Sequence, residues 1–216
     1  MLDTILDPIR LSPAYFFFNR IKKWWDLTLW RINGRKNNVP KLFKEKIVKQ
    51  YAHRNSINVF VESGTYRGDM VRAIRDDFSK IYSIELSPTL ANLAKKRFKD
   101  NPNVVIKMGD SADALSEILP QIDEPCIFWL DAHWSGGVTG KANLHTPIRK
   151  ELDCILNHPI SSHVILVDDA RCFNGENDYP TFNEVKELVL KKYPDHIVEN
   201  KDDIIRIYHE SEQIVS

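Results

Sequence analysis

The sequence predicts an α/β domain with a mainly parallel sheet and helices on both faces. Three observations carry this. Seven short apolar runs, rich in β-branched and aromatic residues, fall at 58–62, 80–85, 103–108, 125–130, 162–167, 195–200 and 203–209. Stretches with apolar residues at helical spacing separate the first six of them. Each of the first five ends at, or is followed by, an acidic residue or a glycine turn. Strands that alternate with helices need crossover connections, and those lay helices on both faces of one sheet. Ligands of such sheets bind beyond the carboxyl ends of the strands, so the residues just after each run are the informative ones.

At 216 residues the chain is long enough for one α/β domain with a sizeable core. Lys and Arg number 30 and so do Asp and Glu, which gives no global attraction to nucleic acid. Cys126, Cys154 and Cys172 show no CxxC spacing and read as reduced thiols of a cytoplasmic protein. No apolar run reaches the length of a transmembrane span, and the start lacks the pattern of a signal peptide.

Residues 1–38 differ from the rest and read as an aromatic, basic extension of the domain at 39–216. They hold Tyr15, Phe16, Phe17, Phe18, Trp24, Trp25 and Trp30, with seven basic against three acidic residues. Such a stretch suits peripheral contact with an anionic membrane. It also suits a helical extension whose aromatics pack on the domain or on a second subunit of a homo-oligomer. Pro8 and Pro13 break up the segment and favour the packing role. Residues 33–40 read as a linker, and an amphipathic helix with Leu42, Phe43, Ile47 and Tyr51 on one side follows.

The strand at 58–62 leads into a loop, Ser63-Gly64-Thr65-Tyr66-Arg67-Gly68, and a helix over 68–78. Glycines there let backbone N–H groups approach a ligand. After the second strand, Ser87 as cap and Pro88 at the first position start a helix with Leu90, Leu93, Ala94 and Phe98 as its apolar face. Helices near 111–119 and 147–157 flank the fourth strand, and Thr181 with Glu184 forms a capping box. The last two runs, with a polar turn between them, read as an antiparallel hairpin.

The first loop is GxxxG, not GxGxxG, which disfavours a dinucleotide and with it a nicotinamide oxidoreductase. Glu85 ends the second strand, where a carboxylate can accept both hydroxyls of a ribose. Asp110 and Ser111 follow the third and could meet an adenine, although Asp110 also suits a helix N-cap. Together these fit a nucleoside without phosphate.

On the motifs VFVESGTYRGD, IYSIELSP, VVIKMGDSADAL and PCIFWLDAHW, residues 58–209 resemble the class I S-adenosylmethionine-dependent methyltransferases. The resemblance implies a Rossmann-like seven-stranded sheet with a reversed C-terminal strand, and S-adenosyl-L-methionine as cofactor. It implies that Glu62, Gly64, Tyr66 and Gly68 shape the methionine pocket, that Glu85 holds the ribose, and that Asp110 and Ser111 hold the adenine.

Asp131, Asp168 and Asp169 end two strands that are neighbours in that fold, and converging carboxylates call for a neutralising cation. Here the chain looks most like the metal-dependent O-methyltransferases of the catechol and sugar-modifying types. The resemblance implies a Mg²⁺ site at Asp131, Asp168 and Asp169, where the metal would acidify a hydroxyl of a small acceptor such as a sugar. The catechol-type enzymes carry a Lys shortly after the first metal Asp, whereas this chain has Ala132-His133-Trp134. His133 is the candidate base, or else it orients Asp131 or ligates the metal. Gly136 and Gly137 give the loop freedom to close, Lys141 and His145 are weaker candidate bases, and Trp134 and Tyr179 suit the lining of an acceptor pocket. Two other readings stay open. One is a metal-independent methyltransferase with Asp131 and His133 as acid and base. The other is a non-catalytic adenosine-binding scaffold.

Overall fold

The computed structural model describes residues 13–35, 39–131 and 146–209, with side chains from residue 21 onward. They form two compact units, Met1–Ile47 and Val48–Ser216. The division falls inside a helix rather than at residue 38.

In the first unit, α1 (Pro13–Ile32) is one helix of 20 residues, not a broken segment. Pro13 sits at its first position, where the missing N–H would have no helical partner anyway. Gly34, with φ 71°, ends the helix, and the Arg35 N–H returns to the Trp30 carbonyl. Leu27 and Trp30 are buried with Val39, and Leu42 and Phe43 pack against them. Glu45 is buried in an ion pair with Lys23. The helix α2 (Lys41–Asn55) does not bury the single stripe expected. Its first half serves this small cluster, while Tyr51 meets the Tyr208 ring in the second unit at 5.3 Å.

The second unit is the expected α/β fold. Strands β1 (Val59–Ser63), β2 (Lys80–Glu85), β3 (Val104–Met108), β4 (Cys126–Leu130), β5 (Val164–Val167), β6 (His196–Lys201) and β7 (Ile204–His209) make one sheet in the order β3-β2-β1-β4-β5-β7-β6. β1 to β5 pair in parallel, and β7 is inserted antiparallel between β5 and β6. Asp202 and Asp203 both adopt positive φ, 53° and 58°, as a tight hairpin turn requires.

Helices α3 (Asp69–Ile74), α4 (Pro88–Arg97), α5 (Ser111–Ile118), α6 (Ile148–Leu156) and α7 (Phe182–Lys192) connect the strands. Val61, Phe128, Ile165 and Ile207 join residues of α5, α6 and α7 in one core. Phe60, Ile127 and Trp129 alternate with these and are buried on the opposite face.

Three local expectations change. α3 stops at Ile74 rather than 78, and the Asn103 amide takes up the carbonyls of Arg75 and Phe78 beyond it, at 2.8 and 2.9 Å. Leu93 points to solvent, and Ala91 takes its place on the buried face of α4. Ser87 stands at the N-cap of α4, but its side chain makes no capping bond. The capping box of Thr181 and Glu184 is complete. The three cysteines are free thiols.

Candidate functional site

The carboxyl ends of β1 and β2 bring two buried acids together. Glu62 lies on the face of the sheet that carries Phe60, in register with Ser83 of β2. The Ser83 hydroxyl donates to Glu62 Oε2 at 2.6 Å, and Thr65 Oγ1 lies 2.6 Å from the same hydroxyl. Burial is the main reason the Glu62 carboxyl is pushed up to about 8. The Ser83 bond offsets part of this, and the negative charges of Asp131, Glu85 and Asp69 add to it. Glu62 is therefore largely a neutral acid at pH 7.

Glu85 is fixed in a different way. Its Oε2 accepts the Tyr66 N–H at 2.7 Å and its Oε1 the Ser87 N–H at 2.9 Å. Each oxygen keeps further acceptor capacity, aimed by two backbone amides. The N-cap amide of α4 is thus engaged by Glu85. The sequence reading expected the loop's amides to face a ligand. Instead the Gly64 and Thr65 N–H groups bond the Ile84 carbonyl, and the Gly68 N–H bonds Thr65. The loop thus serves to fold Tyr66 over Glu85, with Tyr66 at φ 48°. Gly68 has φ 68°, and a Cβ there would lie 2.6 Å from Phe98 Cε2. Its first role is to let α4 approach the loop.

Asp110 caps α5 through the Ala112 N–H at 3.0 Å. Ser111 is buried, and so is Ser63 at the end of β1. Near both hydroxyls lies a further buried acid. Glu151 of α6 is 1% exposed and feels both hydroxyls and the charges of Asp110 and Asp131. Burial pushes its carboxyl up to about 7. The two hydroxyls lower it in part, but no hydrogen bond of ordinary geometry reaches Ser63 Oγ, Ser111 Oγ or Glu151 Oε1. Glu151 shares the buried stripe of α6 with Ile148, Leu152 and Ile155.

The ends of β4 and β5 carry the three aspartates. The Asp131 N–H donates to the Ser63 carbonyl and the Asp168 N–H to the Leu130 carbonyl, each at 3.0 Å, so the ladder continues one step past the strands. The two positions are neighbours, as expected. Asp168 is buried, and its Oδ1 accepts the Asp169 N–H at 2.9 Å. Asp169 adopts φ 55°, and its Oδ1 is bound to Arg171 at 2.9 Å. Arg171 also binds Asp203 of the hairpin turn. Among the described residues no three His, Cys, Asp or Glu side chains gather as a cation site. His133, Trp134, Gly136, Gly137, Lys141 and His145 lie outside the described residues. Tyr179 packs edge-on against Phe173 at 5.3 Å, and burial, with Asp169 and Asp131 adding to it, pushes its phenol above the usual range.

Two other histidines form a relay at the amino ends of β4 and β5. His163 Nδ1 accepts the Cys126 N–H at 3.0 Å, so its Nε2–H faces His158 Nδ1 at 2.9 Å, and His158 Nε2–H faces the Leu119 carbonyl at 3.0 Å. This relay occupies every nitrogen of both rings in structural bonds.

No protein-family model matches the chain, and no curated protein matches it in sequence. Solved structures do match in fold. An O-methyltransferase from Bacillus cereus, in complex with SAH, superposes with a TM-score of 0.57 at 13% identity, over 96% of each chain. The SAH-bound methyltransferase of Podospora anserina gives 0.53 at 17% identity, over 88% of this chain and 87% of that one. The O-methyltransferase TomG of Streptomyces achromogenes, in complex with SAM, gives 0.50 at 15%, over 87% and 89%. The chain therefore has the Rossmann-like methyltransferase fold, with its seven-stranded sheet and reversed β7.

Proposed function

We propose that this chain is an S-adenosylmethionine-dependent methyltransferase that methylates an oxygen of a small hydroxylated acceptor, such as a sugar. The observation that carries the reading is the Glu85 carboxylate, buried at the end of β2 and aimed by the Tyr66 and Ser87 amides. The residues fit the cofactor. Glu85 retains acceptor capacity on both oxygens for a ribose diol. The fold shared with SAH- and SAM-bound structures supports the same cofactor.

When bound, S-adenosylmethionine supplies an electrophilic methyl group on its sulfonium. Everything else falls to the chain. Glu85 accepts the ribose hydroxyls, and Asp110 with Ser111 meets the adenine. Glu62, Gly64, Tyr66 and Gly68 frame the methionine end, where the carboxyl of Glu62 can lose its proton to meet a cation. Asp131 stands at the end of β4 between the two regions, and it holds the acceptor hydroxyl. His133, two residues along, is our candidate to take the hydroxyl's proton. The Asp169–Arg171 pair favours this metal-independent course.

Isothermal titration with S-adenosylhomocysteine tests the cofactor. Loss of charge-assisted bonds worth about 1.5–3 kcal/mol lowers the affinity of Glu85→Ala by about 10- to 100-fold. Glu85→Gln, which keeps the shape, falls between. A wild-type chain that binds no adenosine ligand would sink the reading. One that binds but transfers no labelled methyl to any hydroxylated acceptor would leave the scaffold alternative.

A further inference from the structure

The outer face of α1 has no role in that reading. Ile21, Trp24, Trp25, Leu29 and Ile32 are all exposed there, Trp25 by 63% and Ile32 by 74%. At about 100° per residue they fall in one arc of roughly 140°. Among the described side chains, the only other one within the arc is that of Thr28, whose hydroxyl is already bonded to the Trp24 carbonyl at 2.9 Å. Lys22 and Arg31 stand at its two edges, and the Lys46 ammonium lies 6.0 Å from the Trp24 ring. On the opposite side, Leu27 and Trp30 are buried against Val39, Leu42 and Phe43. The helix is thus anchored by one face and offers the other.

Charge is segregated in the same way. The unit Met1–Ile47 carries ten basic and four acidic residues, a formal +6, while the whole chain is neutral, so Val48–Ser216 carries −6. A nucleic acid would match the charge, but it gives an apolar arc of Trp, Ile and Leu nothing to be buried in. A second copy would cover the arc, but it would set one +6 unit against another. An anionic bilayer satisfies both features. Its acyl boundary takes the apolar arc, its headgroups the indoles and the basic rims. No described helix is long and apolar enough to cross a membrane, so α1 would lie in the interface.

We propose that the outer face of α1 docks the protein on a membrane surface rich in anionic lipid. Co-sedimentation of the full chain with phosphatidylcholine vesicles, with and without phosphatidylserine, tests it. The chain is expected to pellet with the phosphatidylserine vesicles and to be released as salt rises. Trp25→Ser with Leu29→Ser replaces two exposed side chains, so it should leave thermal unfolding nearly unchanged while lowering the vesicle partition at least about tenfold. Lys22→Glu with Arg31→Glu should remove the preference for phosphatidylserine. Equal binding to both vesicle types, binding to neither, or full binding by the Trp25/Leu29 variant overturns the proposal. So does a dimer in sedimentation velocity, without vesicles, that the Trp25/Leu29 variant loses, because a second copy would then cover the arc.

Discussion

Where β1 and β2 end, the acids are buried and each is held by groups from the next strand or loop: Glu62 by Ser83, Glu85 by the Tyr66 and Ser87 amides. Where β4 and β5 end, the acids are bound to their own neighbours, Asp168 to the Asp169 amide and Asp169 to Arg171. The first region is fixed before any ligand arrives, as tight recognition of a rigid nucleoside requires. The second is fixed by pairs among its own residues. Along one carboxyl edge of the sheet, the first region reads as a binding surface and the second as a set of acids held by their sequence neighbours.

The sharpest way to break the first region is to disturb its loop without touching an acid. Gly68→Ala places a side chain at φ 68° and a Cβ 2.6 Å from the Phe98 ring. Left-handed strain and overpacking together should cost about 2–4 kcal/mol, seen as a lower melting temperature. Phe98→Leu in the same chain should return part of the loss by making room for the Cβ. If the double variant is no more stable than Gly68→Ala, the contact with Phe98 does not explain the glycine.

The alternation of strands and helices, the C-terminal hairpin and the strand ends were all legible, because short apolar runs, their terminal acids and polar turns are local signals. So was the capping box at Thr181. The site was legible only in part. Glu85 stood out, since an acid at the end of an apolar run is conspicuous. Its true holders, two backbone amides, have no sequence signature. Glu151 was hidden because a Glu among Ile148, Leu152 and Ile155 looks like a charge at the edge of an amphipathic helix, and only the packing of α6 puts it at 1% exposure. The partner of Asp169 was hidden likewise: Arg171 looks like a solvated loop charge until the hairpin turn brings Asp203 to it. Pro13 misled in the other direction, because a proline breaks a helix interior but not a first turn.

The buried acids give the first region a pH signature. The Glu62 carboxyl is raised to about 8 and that of Glu151 to about 7, both chiefly by burial. A raised acid keeps its proton in the folded chain after the unfolded chain has lost it. Its contribution is therefore complete below about pH 4.5 and drains away as pH rises towards 7 and 8. His163, lowered to about 3 by burial, works the other way and weakens the fold only below about pH 6.5. Between pH 6.5 and 8 the two carboxyls act alone of these three. Glu62→Gln should flatten the fall of stability in that window by up to about 1.4 kcal/mol per pH unit, with near parity at pH 5. Denaturant melts at both pH values measure this, and an unchanged slope would mean Glu62 is ionised in the fold. S-adenosylhomocysteine binding near pH 7 should also release a fraction of a proton if the ligand's ammonium meets Glu62.

The smallest effect is expected in the second region, and it decides the role of the aspartates. Arg171 is about half exposed in its pairs with Asp169 and Asp203, so Arg171→Ala should cost no more than about 1 kcal/mol in stability. It would, however, remove the Arg171 guanidinium from Asp169. If Asp131, Asp168 and Asp169 are not a cation site, Mg²⁺ should give no heat in titrations of either form, and EDTA should leave methyl transfer by the wild type unchanged. If they are one, Arg171 competes with the metal. Arg171→Ala should then bind Mg²⁺ more tightly, and EDTA should stop turnover in both forms. That outcome would require Asp169 to exchange Arg171 for the cation, and the region around β4 and β5 would have to rearrange on binding while the region around β1 and β2 stays as it is.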